Sequence, residues 1–329
     1  MVDIDKDNLP NIIDGNVPKN YELCKEGDIV FADASEDTNE VAKAVEYYNL
    51  NGKKVVCGLH TIHGRDNKNK TVVGYKGYAF SSMSFHHQIR RIAQGTKIYS
   101  INSKNFSECY VGIPSKDEQQ KIADLLRLID ERIATQNKII EDLKKLKSAI
   151  SENLFKDVKD NIVMLSEICE IIKGKQINGE FLSESGKYYV MNGGTEPSGY
   201  YSDYNVEANT ISISEGGNSC GYIQFNPSPF WSGGHCYTIQ KIADNVDNLY
   251  LYHYLKSQED AIMKLRIGSG LPNIQKKDLA MFKIKIPAVE QQRTISTFLS
   301  SLERKAETEE MLLNAMKKEK QYLLRQMFI

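Results

Sequence analysis

The 329-residue chain is short of the features that usually declare a chemistry. Its six cysteines (Cys24, Cys57, Cys109, Cys169, Cys220 and Cys236) form no Cys-x-x-Cys pair and no paired Cys/His spacing. That excludes a sequence-local zinc module and a disulfide framework, and the cysteines read as reduced thiols. No apolar run approaches the roughly 18 residues of a membrane span, and residues 1–5 lack the basic and apolar regions of a signal peptide. A cytoplasmic protein is therefore expected. An excess of one charge is also missing: 42 Lys/Arg against 43 Asp/Glu give a net charge of -1, so composition advertises no basic face for nucleic acid.

Catalytic signatures are scarce as well. Gly216-Gly-Asn-Ser-Cys-Gly221 has no following helix and is no dinucleotide fingerprint. In Asn226-Pro-Ser-Pro-Phe230 an extra serine breaks the tight turn of an Asn-Pro-Pro-aromatic motif, and no glycine-rich strand-to-helix element is present for S-adenosylmethionine. His60, His63, His86 and His87 show no ligand spacing with a carboxylate or thiolate. No catalytic residue, no metal ligand and no cofactor are expected in this chain.

What the sequence does contain is a repeat. Ile113-Pro114 opens a run whose Gln119, Ile122, Leu126, Asp130, Ile140 and Phe155 return 173 positions later as Gln292, Ile295, Leu299, Glu303, Leu313 and Phe328, after Ile286-Pro287. No insertion interrupts the match. Each copy follows a hundred or more residues of different character, which implies two globular modules, each followed by a long helix. With 41% hydrophobic and 26% charged residues, the chain has the composition to bury two ordinary cores.

The modules read as β-rich. In the first, strands are expected at Asp28–Ala32, Lys54–Cys57 and Thr71–Gly74, with a helix over Tyr78–Ile92; in the second, strands at Tyr188–Met191, Thr210–Ser214, Tyr222–Phe225 and Cys236–Gln240, with a helix near Tyr250–Leu265. The alternation is too irregular for βαβ units, so a doubly wound sheet is not expected. The boundaries fall at 1–112, 113–157, 158–285 and 286–329.

Ser115-Lys-Asp-Glu118 is a capping box that starts the first long helix. Apolar residues then recur at a spacing of ~3.5 for about 40 residues, roughly 60 Å of helix. Such a stripe needs a partner stripe. Parallel pairing would oppose Lys147 to Lys320 in a seam of low dielectric. Antiparallel pairing instead places Gln136 opposite Lys320 and Lys147 opposite Glu309. It also matches Ile129 with Met327, Ile133 with Leu323, Ile140 with Met316, Leu143 with Leu313, Ile150 with Ala306 and Leu154 with Leu302. Charge thus selects an antiparallel coiled coil with an approximate two-fold relation between the halves.

Ile113-Pro-Ser-Lys-Asp-Glu-Gln-Gln and Ile286-Pro-Ala-Val-Glu-Gln-Gln, together with Gly268-Ser-Gly-Leu-Pro-Asn-Ile-Gln ahead of the second copy, resemble the specificity (S) subunit of type I restriction-modification systems. The resemblance covers the whole chain. It implies an α+β fold of two target-recognition domains joined by the long helices, each domain reading half of a bipartite site in double-stranded DNA. It also implies a non-catalytic scaffold that recruits two methyltransferase (M) subunits and restriction (R) subunits, with S-adenosylmethionine bound in the M subunit.

Base edges are read by amide, hydroxyl and guanidinium groups on loops, and phosphates by Lys and Arg. Loop clusters of that composition nominate Lys173, Lys175, Gln176, Asn192, Thr195, Asn218, Ser219, Arg266, Ser269 and Asn273 in the second module. In the first they nominate Arg90, Arg91, Thr96 and Lys97 around Gly95, the repeat equivalent of Gly268. One departure stands out. Matching Asp28–Ala32 to Thr210–Ser214 leaves the first module without a counterpart of Met164–Gln176. An alternative reading is therefore a truncated or silent cassette that acts through its coiled coil without full DNA recognition.

Overall fold

The computed structural model describes residues 1–12, 21–158, 161–268, 270 and 272–328. The chain divides into two compact units, one of Met1–Ile139 with Glu310–Ile329 and one of Ile140–Glu309.

Unit 1 is built on strands β1 (Val2–Asp3), β2 (Ile29–Ala32), β3 (Ala34–Ser35), β4 (Ala44–Asn49) and β5 (Thr61–Gly64). The main sheet runs β1-β4-β2-β5, with β2 antiparallel to both neighbours. Side chains alternate across a strand, and β2 uses both faces. Ile29 and Phe31 join Phe85 and Ile89 on one side, and Val30 joins Cys24, Tyr47 and Leu50 on the other. The cover is α1 (Tyr75–Ala79) and α2 (Met83–Ile92), followed by β6 (Tyr99–Ser100), which pairs with β3, and α3 (Ser103–Phe106).

Three expectations fail here for local reasons. The helix over Tyr78–Ile92 is broken because Ser82 is extended (ψ 154°) and its hydroxyl accepts from the Phe85 amide to start a new helix. Thr71–Gly74 is no strand: Gly74, at φ 93°, turns the chain into α1. Lys54–Cys57 keeps only a single bridge, Val56 to Leu23, while β4 and β5 are the strands actually formed.

The first long helix, α4 (Lys116–Asp157, 42 residues), begins as expected, with Ser115 Oγ accepting from the Glu118 amide at 3.3 Å. Its first part belongs to unit 1 and its last part to unit 2.

Unit 2 continues with β7 (Ile162–Met164), α5 (Leu165–Ile168), β8 (Glu170–Lys173), β9 (Tyr188–Met191), β10 (Tyr200–Tyr201), β11 (Thr210–Ser214), β12 (Ile223–Asn226), β13 (Trp231–Ser232) and β14 (Cys236–Gln240). Then come α6 (Asn248–Ser257), α7 (Glu259–Met263), α8 (Lys276–Ala280), β15 (Lys283–Lys285) and α9 (Val289–Met327, 39 residues). Its central sheet runs β12-β11-β14-β8, and every residue of β11 is buried. β9, β11 and β14 coincide with the expected strands, and β12 starts one residue later than expected. The helix expected near Tyr250–Leu265 is split at Gln258 (φ -101°, ψ 13°) into α6 and α7.

The two sheets match strand for strand, β4-β2-β5 with β12-β11-β14, but among the described residues of unit 1 no strand matches β8. Among the described residues, β5 pairs only with β2, whereas β14 pairs with β11 and β8.

The repeat is repeated down to its hydrogen bonds. Gln119 donates to the carbonyls of Lys70 (3.0 Å) and Pro114 (2.8 Å) and accepts from the Val72 amide (3.0 Å). Gln292 does the same with Asn245 (3.0 Å), Pro287 (2.8 Å) and the Asp247 amide (2.8 Å). Both glutamines are fully buried, where a satisfied amide fixes one arrangement and an unsatisfied one is costly. Tyr75 stacks obliquely on Phe328 in unit 1, and Tyr250 meets Phe155 edge-on in unit 2, both at 5.7 Å.

Within each unit the helix segments run antiparallel. In unit 1 Leu126, Ala123 and Ile122 cluster with Leu323, Leu324, Met327 and Phe328, and further along Asp130 pairs with Lys320. In unit 2 Lys147 pairs with Glu303, and Phe155 and Leu154 cluster with Ile295 and Leu299. The expected facing pairs are thus corrected: Lys147 meets Glu303 instead of Glu309, and Lys320 meets Asp130 instead of Gln136, six positions earlier in each case. The tyrosine-phenylalanine contacts at the helix ends and the carboxylates flanking the stripe set the register, and seam polarity alone carries neither signal. The sixteen stripe positions are all buried or half-buried, from Ile129, Ile133, Gln136, Ile140, Leu143, Lys147, Ile150 and Leu154 to Leu302, Ala306, Glu309, Leu313, Met316, Lys320, Leu323 and Met327. Glu309 is paired with Lys305 on its own helix.

Candidate nucleic-acid interface

The nominated loops of unit 2 converge on one buried carboxylate, Glu215, directly after β11. Lys173, at the end of β8, places Nζ 2.6 Å from Glu215 Oε1, and the Tyr237 hydroxyl of β14 donates to the same oxygen at 3.0 Å. His235 Nδ1 lies 3.5 Å from Oε2. The Glu215 amide donates to the His235 carbonyl (2.9 Å), and the Glu215 carbonyl accepts from the Ile274 amide (2.8 Å). Burial, and then the Glu215 carboxylate, push the Tyr237 phenol upward, so it stays a donor.

From this hub the loops are tied to one another. Asn192 Oδ1 accepts from the His235 amide (3.2 Å), and the Ser214 hydroxyl donates to the Gly193 carbonyl (2.5 Å). The Lys175 amide donates to the Ser232 carbonyl (2.8 Å), and the Lys175 carbonyl accepts from Trp231 Nε1 (2.9 Å). Backbones approach so closely that a Cβ on Gly174 would stand 2.2 Å from the Gly233 carbonyl oxygen.

The nominated residues therefore divide by what they touch. Lys173 and Asn192 are committed to the framework, and Ser219 is half-buried in a short turn. Lys175, Gln176, Thr195, Asn218, Arg266 and Asn273 present exposed side chains, while Ser269 lies outside the described residues. Asn273 is anchored through its backbone, which exchanges hydrogen bonds with Ile267 at 3.0 and 2.9 Å. That hairpin has an exact copy in unit 1, where Gln94 and Ser100 exchange bonds at 2.9 and 2.8 Å. The tight turn needs glycine: Gly95 has φ 135°, and a Cβ there would lie 1.9 Å from the Ile98 carbonyl oxygen. Arg91, Thr96 and Lys97 are exposed around it, and Arg90 is held by Asn39 (2.7 Å).

Unit 1 also copies the hub, incompletely. Asp33 takes the place of Glu215: its amide donates to the His60 carbonyl (3.3 Å), and its carbonyl accepts from the Ile101 amide (2.9 Å). His60 Nδ1 lies 3.8 Å from Asp33 Oδ2. Among the described residues no β8-like strand brings a lysine to Asp33 as β8 brings Lys173 to Glu215, and Asp33 Oδ1 is buried with no hydrogen-bond partner. The roles of Glu215, His235, Asp33 and His60 were missed from sequence; the available signal was an acidic residue placed directly after a core strand, Asp33 after Ile-Val-Phe-Ala and Glu215 after Thr-Ile-Ser-Ile-Ser.

The geometry defines a scaffold of polar loops tied to a carboxylate that follows a sheet strand, complete in unit 2, where the buried Glu215 pairs with the half-exposed Lys173, and partial in unit 1. The chain belongs to the type I restriction modification DNA specificity domain family, whose model matches residues 7–145 and again 158–318. It is 34% identical over 145 residues to a protein of Mycoplasma pneumoniae described as a type I specificity subunit, covering 44% of this chain and 38% of that relative. It is 27% identical over 311 residues to a protein of Methanocaldococcus jannaschii described as a type I restriction enzyme specificity subunit, covering 84% of this chain and 72% of the relative. Among solved structures, the S subunit of a type I restriction-modification system from M. genitalium is similar in fold, with a TM-score of 0.67 at 21% identity over 97% of this chain and 87% of that one. Among the described residues, no helix is long and apolar enough to cross a membrane.

Proposed function

We propose that this chain is the DNA-reading and scaffolding subunit of a type I restriction-modification complex, with chemistry left to its partners and S-adenosylmethionine bound by the M subunit. The observation that supports the reading is that three chain segments, at Lys173, His235–Tyr237 and Ile274, meet on Glu215, with the Asn192 loop tied in through His235, while Lys175, Gln176, Thr195, Asn218, Arg266 and Asn273 on the surrounding loops expose polar side chains. Sequence specificity requires such groups to be held in place, since base-edge contacts discriminate only when correctly positioned. The silent-cassette alternative is less favoured, because the family match covers both modules.

Two M subunits are the proposed partners, joined by R subunits. The long helices keep repeat-related apolar residues exposed outside the seam: Leu125 and Phe298 at 42% and 45%, Ile139 and Leu312 at 39% and 44%. Repeat-equivalent patches fit two copies of one partner. Sizing the purified complex tests this: Leu125→Asp with Phe298→Asp should lower its mass by two M subunits, while unchanged assembly would contradict the assignment.

A further inference from the structure

Unit 1 holds a side-chain cluster that recognition does not use. Cys24 Sγ and Cys57 Sγ lie 3.2 Å apart, and a ring nitrogen of His63 joins them, all three ligand atoms falling within 4.8 Å of one another. They come from three stretches of chain: Cys24 ahead of β2, Cys57 after β4, and His63 on β5. That separation is why no spacing motif marks them. Val206 occupies the position of Cys24 in unit 2, so the cluster is peculiar to unit 1.

We propose that unit 1 binds one soft divalent cation, of the Zn2+ class, through Cys24 Sγ, Cys57 Sγ and an imidazole nitrogen of His63, with water at the fourth position. Two thiolates and an imidazole select zinc-like ions over the oxygen-seeking Mg2+ and Ca2+. The surroundings supply the supporting contacts that metal-binding histidines need. Asp28 Oδ2 lies 2.9 Å from His63 Nε2, and Asp28 is fixed in turn by Arg65 Nε (2.9 Å) and the Lys25 amide (2.8 Å). Tyr47 is buried in the same cluster as Cys24 and screens the site from solvent.

Both thiols must lose a proton. On binding, two S–H bonds break, two protons pass to the buffer, two metal–sulfur bonds form, and the thiolates cancel the cation's charge. Bonds of ~2.3 Å at a tetrahedral centre set the sulfurs about 3.8 Å apart, an opening of about half an ångström. Cys57 and His63 are half-buried, which leaves an entry path. The bound ion would tie β5, which among the described residues pairs only with β2, to the segment before β2 and the segment after β4.

The test uses the full chain, reduced, stripped with a chelator and titrated with Co2+, then competed with Zn2+. One equivalent should produce tetrahedral d–d bands and a thiolate charge-transfer band. Cys24→Ser and Cys57→Ser should each weaken binding by more than about 100-fold, and Asp28→Asn by about 10- to 100-fold, while Cys109→Ser should leave it unchanged. Native mass spectrometry of the unaltered chain with Zn2+ removes any dependence on variants that fail to fold, and a one-zinc species is expected. Absence of that species, or a charge-transfer band that survives the Cys24→Ser/Cys57→Ser double variant, would overturn the proposal.

Discussion

Lys147 Nζ sits 2.7 Å from Glu303 Oε1, and the repeat equivalents of these two residues, Lys320 and Asp130, form the matching pair in unit 1. A tyrosine joins each pair: Tyr252 donates to Glu303 and Tyr78 to Asp130, both at 3.0 Å. Burial works to raise the Glu303 carboxyl, yet the Lys147 hydrogen bond and charge, helped by His253 and Tyr252, leave it below its ordinary value.

Replacing Lys147 with Met should therefore cost about 1–2 kcal/mol, a partly buried pair being worth more than an exposed one. Because the folded carboxyl is depressed, the pair's contribution is present above the ordinary value of 4.5 and fades as pH falls below it. Urea unfolding at neutral and acid pH checks this; an unchanged acid sensitivity in Lys147→Met would contradict the register.

His253 gives a pH dependence of its own. It is buried against Ser300 Oγ at 2.9 Å, and burial drops it from 6.5 to about 4 despite the nearby Glu303 and Asp247, with Lys147 adding to the drop. A base depressed in the folded state leaves stability complete above the unfolded value and lowers it as pH falls from 6.5 toward 4. The loss should be on the order of 3 kcal/mol. His253→Gln should flatten thermal stability across that window, and a slope as steep as the parent's would assign the dependence elsewhere.

The buried glutamines should be costly to replace. Gln292→Leu strands the Asp247 amide and the Asn245 carbonyl, and Gln119→Leu strands the Val72 amide and the Lys70 carbonyl. Each should lose about 2–4 kcal/mol. Calorimetry measures both; a loss under about 0.5 kcal/mol would show that the clasp is dispensable.

Much of this was legible in the sequence, and the gaps have physical causes. The repeat located both helices because a stripe of that length has one solution, and β9, β11 and β14 were readable from short segments rich in Ile, Val, Thr and Tyr bounded by turn residues. β5 (Thr-Ile-His-Gly) carries no such pattern and forms because β2 needs a second partner. The coiled-coil register depended on Tyr75, Tyr250, Phe155 and Phe328 meeting at the helix ends, a tertiary contact that seam periodicity does not encode. The loop clusters were recognisable by composition, yet which members face inward was decided by Glu215, visible only once β14 stands beside β11 and β8 beside β14.

The hubs should differ in strength. Glu215→Ala removes the partner of Lys173 and Tyr237, while Asp33→Ala removes a carboxylate whose Oδ1 is already unpaired. Glu215→Ala should cost about 2–3 kcal/mol and Asp33→Ala about 1 kcal/mol or less. Thermal unfolding of the two variants ranks them, and equal losses would mean that the missing lysine is compensated.

The most direct test is specific and non-specific DNA affinity of the M-bound complex, measured at two salt concentrations. Lys175→Ala and Arg266→Ala should weaken binding to every sequence and reduce the salt slope by about one each, whereas Gln176→Ala should relax a single base position by about 1–3 kcal/mol. Arg91→Ala and Lys97→Ala in the less complete unit 1 should lose less than their counterparts in unit 2. If none of these substitutions changes either affinity or slope, the exposed loops do not read DNA and the account is wrong.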